Sequence, residues 1–159
     1  MSTNSVMAKC LDEIFLDALK ADEAIMQLTE GRIYSTCVEI PPMDDDNTPL
    51  PYIIITDDPY NNDLGTKDDV WEGNIDKVQS SVLISAISPE AIKHLRMLIR
   101  KAIRKHVISN DLGYLYLNSS SNEGIAWDWQ KPCYYDTLHY SCDMEVDLTG
   151  ESDEQEENE

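Results

Sequence analysis

From position 134 to 148 the even residues read Tyr, Asp, Leu, Tyr, Cys, Met, Val, Leu, and the odd residues read Tyr, Thr, His, Ser, Asp, Glu, Asp. Side chains in a strand point alternately to opposite faces, so this pattern predicts one long strand with a core face and a wet face. Asp136 is the single break on the apolar side. A sheet with one apolar face needs a second layer to cover it. The chain supplies that layer twice. Ser88-Pro89-Glu90 is a helix start, with a capping hydroxyl, a proline at the first helical position and an acid in the first turn. The helix runs to about position 107, and Ile92, Leu95, Leu98, Ile99, Ala102 and Ile103 form its apolar face. Residues 5–20 carry Val6, Cys10, Leu11, Ile14, Phe15, Ala18 and Leu19 at helical spacing, with Asp12, Glu13, Asp17 and Lys20 elsewhere on the wheel.

The remaining segments supply further strands. Asp22 caps a short helix through Leu28, and Gly31 sits where a left-handed residue ends it. A strand over 33–38 follows. Residues 41–51 form a loop, because Pro41, Pro42, Pro49 and Pro51 deny backbone donors and Asp44-Asp45-Asp46-Asn47 is too polar to bury. Residues 52–56 are apolar at every position but the last, as in a strand covered on both faces. A second polar loop spans 57–69, and Val70-Trp71 begins a short strand before a Gly73-Asn74 turn. Another strand is predicted over 78–87. Two more, over 114–117 and 125–129, are joined by a Ser/Asn/Gly turn at 118–124. The sum is an α+β domain in two layers: a mainly antiparallel sheet of about five or six strands, packed by a long helix and an N-terminal helix. Residues 1–148 form the domain, and 149–159 form a disordered acidic tail.

Charge narrows the function classes. The 159 residues carry a formal net charge of -19. With the six acids of the last nine residues set aside, 25 acids still face 12 Lys and Arg. Such a surface repels phosphate, which argues against ordinary electrostatic binding to nucleic acid or an anionic membrane. No charged-then-apolar leader opens the chain, and no apolar run approaches the roughly 20 residues needed to span a bilayer. A soluble protein made in a cytosol is the expectation. Its four cysteines (Cys10, Cys37, Cys133 and Cys142) are then free thiols.

Catalytic and metal signatures are weak. Cys133, His139 and Cys142 lie within ten residues, but on a strand the first two face one way and the last the other, without the paired-cysteine spacing of zinc sites. The acidic loops do not follow the calcium-loop order. There is no nucleophile elbow, no His-Glu-x-x-His and no glycine-rich phosphate loop, so neither an enzyme nor a cofactor is expected. The stronger signal is cationic. Helix 89–107 holds half of the Lys and Arg, and Lys93, Arg96, Arg100 and Arg104 form one stripe. That stripe reads as a solvated face suited to the helix C-terminus, as a surface meeting an acidic face of a neighbouring copy, or, against the charge of the chain, as a nucleic-acid contact. Trp127 and Trp129, with Tyr134 and Tyr135, suit a half-buried interface.

Gly31-Arg32-Ile33-Tyr34, the polar loop, Pro49-Leu50-Pro51-Tyr52-Ile53-Ile54-Ile55, the Ser88-Pro89-Glu90 helix start and the terminal alternating strand occur in an order that resembles the tail-completion, or tail-terminator, proteins of long-tailed bacteriophages. The resemblance covers about residues 5–148. It implies a non-enzymatic, cofactor-free virion protein that forms a ring of about six copies on the head-proximal end of the tail tube. Its implied partners are itself, the tail tube protein and the head-tail connector or neck protein, with DNA passing through unbound. A neck or adaptor ring is the near alternative, and a monomeric acidic binding module the more distant one. In the ring reading Lys93, Arg96, Arg100, Arg104, Trp127 and Trp129 are subunit-interface candidates. Asp44, Asp45, Asp46, Asp57, Asp58 and Asp63 are lumen or docking-loop candidates.

Overall fold

A computed structural model describes residues 10–38, 40–58, 61–62, 74–109 and 115–146. Its elements are α1 (Leu11–Lys20), α2 (Glu23–Thr29), β1 (Ile33–Ser35), β2 (Tyr52–Asp57), β3 (Asn61–Asn62), β4 (Asn74–Ala86), α3 (Pro89–Ser109), β5 (Leu115–Asn122), β6 (Ala126–Asp128) and β7 (Cys133–Val146). The sheet runs in the order β1-β2-β4-β7-β5, with β3 added to β4 and β6 added to β7. Its spine is the antiparallel β4–β7 ladder, in register from Asn74 opposite Val146 to Ala86 opposite Tyr134. Among the described strands only β1 runs parallel to its neighbour, β2, so the sheet is mixed.

Both longer helices cover the same face. Leu11, Ile14, Phe15, Ala18 and Leu19 of α1 and Ile92, Leu95, Ile99, Ala102 and Ile103 of α3 are buried on Ile53, Ile55, Val82, Ile84, Leu138, Tyr140 and Cys142. Phe15 meets Tyr140 edge-on, with ring centroids 5.0 Å apart. Asp22 caps α2 by accepting from the Ile25 N–H at 3.0 Å, and the chain leaves that helix through two left-handed residues, Glu30 (φ 52°) and Gly31 (φ 80°).

The two-layer α+β reading and the apolar faces of both helices hold in the structure, and several details differ: β3 lies within the expected loop at 57–69, and β4 starts at Asn74, within the expected turn. In the described chain α1 begins at Leu11; the earlier turns expected of it lie outside the described residues, as do Val70-Trp71, Asp63 and the tail 149–159. The first strand stops at Ser35 instead of reaching position 38, because Thr36 takes φ 76° and turns the chain while its N–H still bonds the Ile55 carbonyl at 2.8 Å. The Ser/Asn run at 118–122 is not a turn. It is the second half of β5, whose backbone is held by β7 after a bulge between Leu117 and Ser119. Finally, β5 and β6 do not form a hairpin with each other; each pairs with β7 along the same edge.

Candidate functional site: a basic groove at the sheet edge

Because α3 buries its apolar face on β4 and β7, its cationic residues are left facing outward toward β5. Between α3 and β5 lies a groove of about 960 Å³. Lys93, Arg100, Lys101 and Arg104 line it, together with Met97, Ile108 and Tyr116. Those four cations have no ion-pair partner among the described residues. Met97, Ile108 and Tyr116 are exposed, Ile108 to 70%. The far wall is β5, which among the described residues pairs only with β7, on one of its two edges. Tyr140 also lines the groove, and its buried hydroxyl has no hydrogen-bond partner among the described residues. Burial pushes that phenol up to about 12, against the opposing pull of the Arg100 guanidinium.

Arg96 also borders the groove, but its guanidinium is engaged within the fold. Its Nη1 donates to Asp136 Oδ2 at 2.9 Å, and the Asp136 side chain is 0% exposed. The same carboxylate accepts from Asn122 Nδ2 at 3.1 Å, from the Gly124 N–H at 2.9 Å and from the Thr137 N–H at 2.8 Å. The break in the alternating strand is thus a buried anchor that ties α3, the end of β5 and the following turn to β7. Arg96 is thus engaged within the fold, whereas Lys93, Arg100 and Arg104 are exposed and have no ion-pair partner among the described residues.

The other candidates fall into three places. Trp127 and Trp129 sit on and just after β6, along the same edge as β5. Trp127 packs edge-on against Tyr134 (4.8 Å) and Trp129 (6.2 Å), and Trp129 is 87% exposed. Asp44, Asp45 and Asp46 lie at the opposite end of the sheet, on the connection between β1 and β2. There Asp44 acts as a turn organiser, with Oδ1 accepting from the Asp46 and Thr48 N–H groups, each at 2.8 Å. Asp57 ends β2, and its carboxyl is raised by burial and by the neighbouring Asp12 and Asp58 charges.

Asp58 joins a polar chain across the helix-free face that the sequence reading did not identify. Ser81 Oγ donates to Asp58 Oδ2 at 2.6 Å and lies 2.9 Å from His139 Nδ1, while His139 Nε2 is 2.6 Å from Glu123 Oε2. The residue types are those of a serine hydrolase, but the Ser81 hydroxyl donates to the Asp58 carboxylate and is not directed at the imidazole. Ser81 also sits within the regular β4 ladder, with no strained turn to present it. The chain reads as a cross-strand clamp joining β2, β4 and β7.

The zinc candidates are not brought together. Cys133 Sγ contacts Ser85 Oγ at 3.1 Å on the helix-free face, whereas Cys142 is buried in the helix-covered core. Burial pushes the Cys142 thiol up to about 12, which keeps it neutral and unreactive. Among the described residues one group of three potential ligands occurs, Cys10, Asp12 and Glu13. Glu13 Oε1 accepts from the Cys10 N–H at 3.1 Å, so this group forms the start of α1. No described helix is long and apolar enough to cross a membrane.

No family model matches the chain. No curated protein matches it either. Among solved structures, it is similar to a chain of the virion of a native gene transfer agent (GTA) particle, with 16% identity and a TM-score of 0.43, over 87% of this chain and 97% of the other.

Proposed function

We propose that this protein is a structural virion component that assembles head-to-tail into a ring, of about six copies, at the head-proximal end of a phage tail. In that position it ends growth of the tail tube and joins the tail to the head connector. One observation carries the reading. In a chain of net charge -19, four cations without ion-pair partners among the described residues gather with exposed Met97, Ile108 and Tyr116 in one groove at a sheet edge. Exposed apolar side chains rimmed by charge of one sign mark a protein–protein surface. The groove at the β5 end is unlike the acidic β1 end, so contact between copies is heterologous, and a heterologous contact whose rotation closes makes a ring. No step of this role requires catalysis or a cofactor. An acidic channel wall suits the passage of DNA, because it does not hold phosphate.

Negative-stain microscopy of the full chain at high concentration, with its mass by light scattering, tests the reading. Rings with a central hole and a mass near six subunits support it. A monomer that also fails to bind the ends of isolated tail tubes overturns it.

A further inference from the structure

We infer that the groove between α3 and β5 is the receptor for the acidic loop of the next copy, residues 43–49. This rests on the ring reading and names the contact that closes it. The loop is a built knob. A bridge between Met43 and Pro49 closes its neck, the Leu50 N–H bonds the Pro42 carbonyl at 3.0 Å, and the two Asp44 side-chain bonds with left-handed Asn47 (φ 61°) shape its tip. A preorganised tip loses little conformational freedom on docking.

Its surface complements the groove in two ways. Asp45 and Asp46 are exposed, and among the described residues neither carboxylate accepts a hydrogen bond within the knob; both are opposite in sign to Arg100, Lys101 and Arg104. Exposed Met43, and Ile40 (81% exposed) at its base, match exposed Met97 and Ile108. The Tyr140 hydroxyl, buried at the groove and without a hydrogen-bond partner among the described residues, is a donor for which an arriving carboxylate or carbonyl is the natural acceptor. Placement agrees as well. The knob joins β1 to β2 and the groove flanks β5, at opposite edges of the β1-β2-β4-β7-β5 order, about 19 Å apart at ordinary strand spacing. Knob and groove on opposite edges cannot meet within one copy, but they can meet between successive copies.

The test is a charge swap that leaves Asp44 and Arg96 untouched, since both are engaged within the fold. One variant carries Asp45→Lys and Asp46→Lys; the other carries Arg100→Glu and Arg104→Glu. All four positions are exposed, and unchanged thermal unfolding of the monomers confirms that each variant folds. By sedimentation, each variant alone is expected to associate roughly a hundredfold more weakly than wild type, as opposed charges become like charges. An equimolar mixture should recover assembly, because each reversed knob then meets a reversed groove and each native knob a native groove. Wild-type-like assembly of the knob variant, or failure of the mixture, overturns the inference. If the groove variant alone is defective, the ring reading stands and the groove has another occupant. Truncation after Leu148 separates the main rival, the acidic tail. Loss of assembly on truncation equal to that of the knob variant assigns the groove to the tail and overturns the knob. A wild type that stays monomeric, even on tube ends, removes the ring reading and the contact with it.

Discussion

Asp136→Asn keeps the shape of the side chain and removes its charge, which isolates what the buried anchor does. The two backbone donors, Gly124 and Thr137 N–H, both reach Oδ1, so an asparagine oriented to keep them must place its amide where Oδ2 stood. There it faces Arg96 Nη1 and Asn122 Nδ2, both donors, and two hydrogen bonds become donor–donor contacts. Both bonds end on the carboxylate and are charge-assisted, at about 1.5–3 kcal/mol each, so the loss is at least about 3 kcal/mol. Removal of one partner from a buried ion pair leads to a similar figure. With a urea slope of about 2 kcal/mol per molar, the unfolding midpoint should fall by about 1.5 M. Urea denaturation at low protein concentration, to avoid self-association, measures this directly. Arg96→Met should cost a comparable amount, and the double variant scarcely more than either single one, giving a coupling of about 3 kcal/mol. A stability for Asp136→Asn within about 0.5 kcal/mol of wild type, or costs that simply add, would refute the anchor.

Three further outcomes follow from other parts of the fold. Asp57→Asn should raise the melting temperature at pH 7, since the folded carboxyl is raised by burial and by Asp12 and Asp58; below the ordinary value of 3.8 the aspartate is protonated in both states and the advantage should vanish. Alkaline titration should unfold the protein progressively from about pH 9 toward 12, because Cys142 and Tyr140 both rise to about 12 in the fold while the unfolded chain ionises at their ordinary 9.0 and 10.0; Tyr140→Phe should flatten the slope above pH 10 by hydrogen-exchange or circular dichroism measurement. Gly124→Ala should lose about 1–3 kcal/mol in the same urea assay, since φ is 108° there while nothing lies within 4 Å of an added Cβ, so the cost is backbone strain alone.

Periodicity was enough to read the two-layer plan. The 3.6-residue spacing in α1 and α3 and the two-residue spacing in β7 are local consequences of burying one face, so they are written wherever a face is buried. Ser88-Pro89-Glu90 and Gly31 likewise marked their helix ends through local chemistry. What the chain alone could not show depends on neighbours distant in sequence. The Ser/Asn run of β5 reads as a turn because its side chains are polar, yet an edge strand is held by the backbone of β7 and tolerates polar side chains. Asp136 looked like an exception in a pattern; only the crossing of α3 over β7, which brings Arg96 to 2.9 Å, makes it an anchor. A break on an apolar strand face, in a chain with a cationic helix stripe, was the available signal.

The same division applies to the candidate site. The sequence by itself determined that cations concentrate on one helix face and acids in one proline-rich loop, because composition is local. Long-range packing pairs Arg96 with Asp136 and leaves Arg100 and Arg104 without an ion-pair partner among the described residues, and it sets groove and loop on opposite edges of one sheet. Strand order follows from long-range pairing, and no periodicity within a segment encodes which strand its neighbour will be.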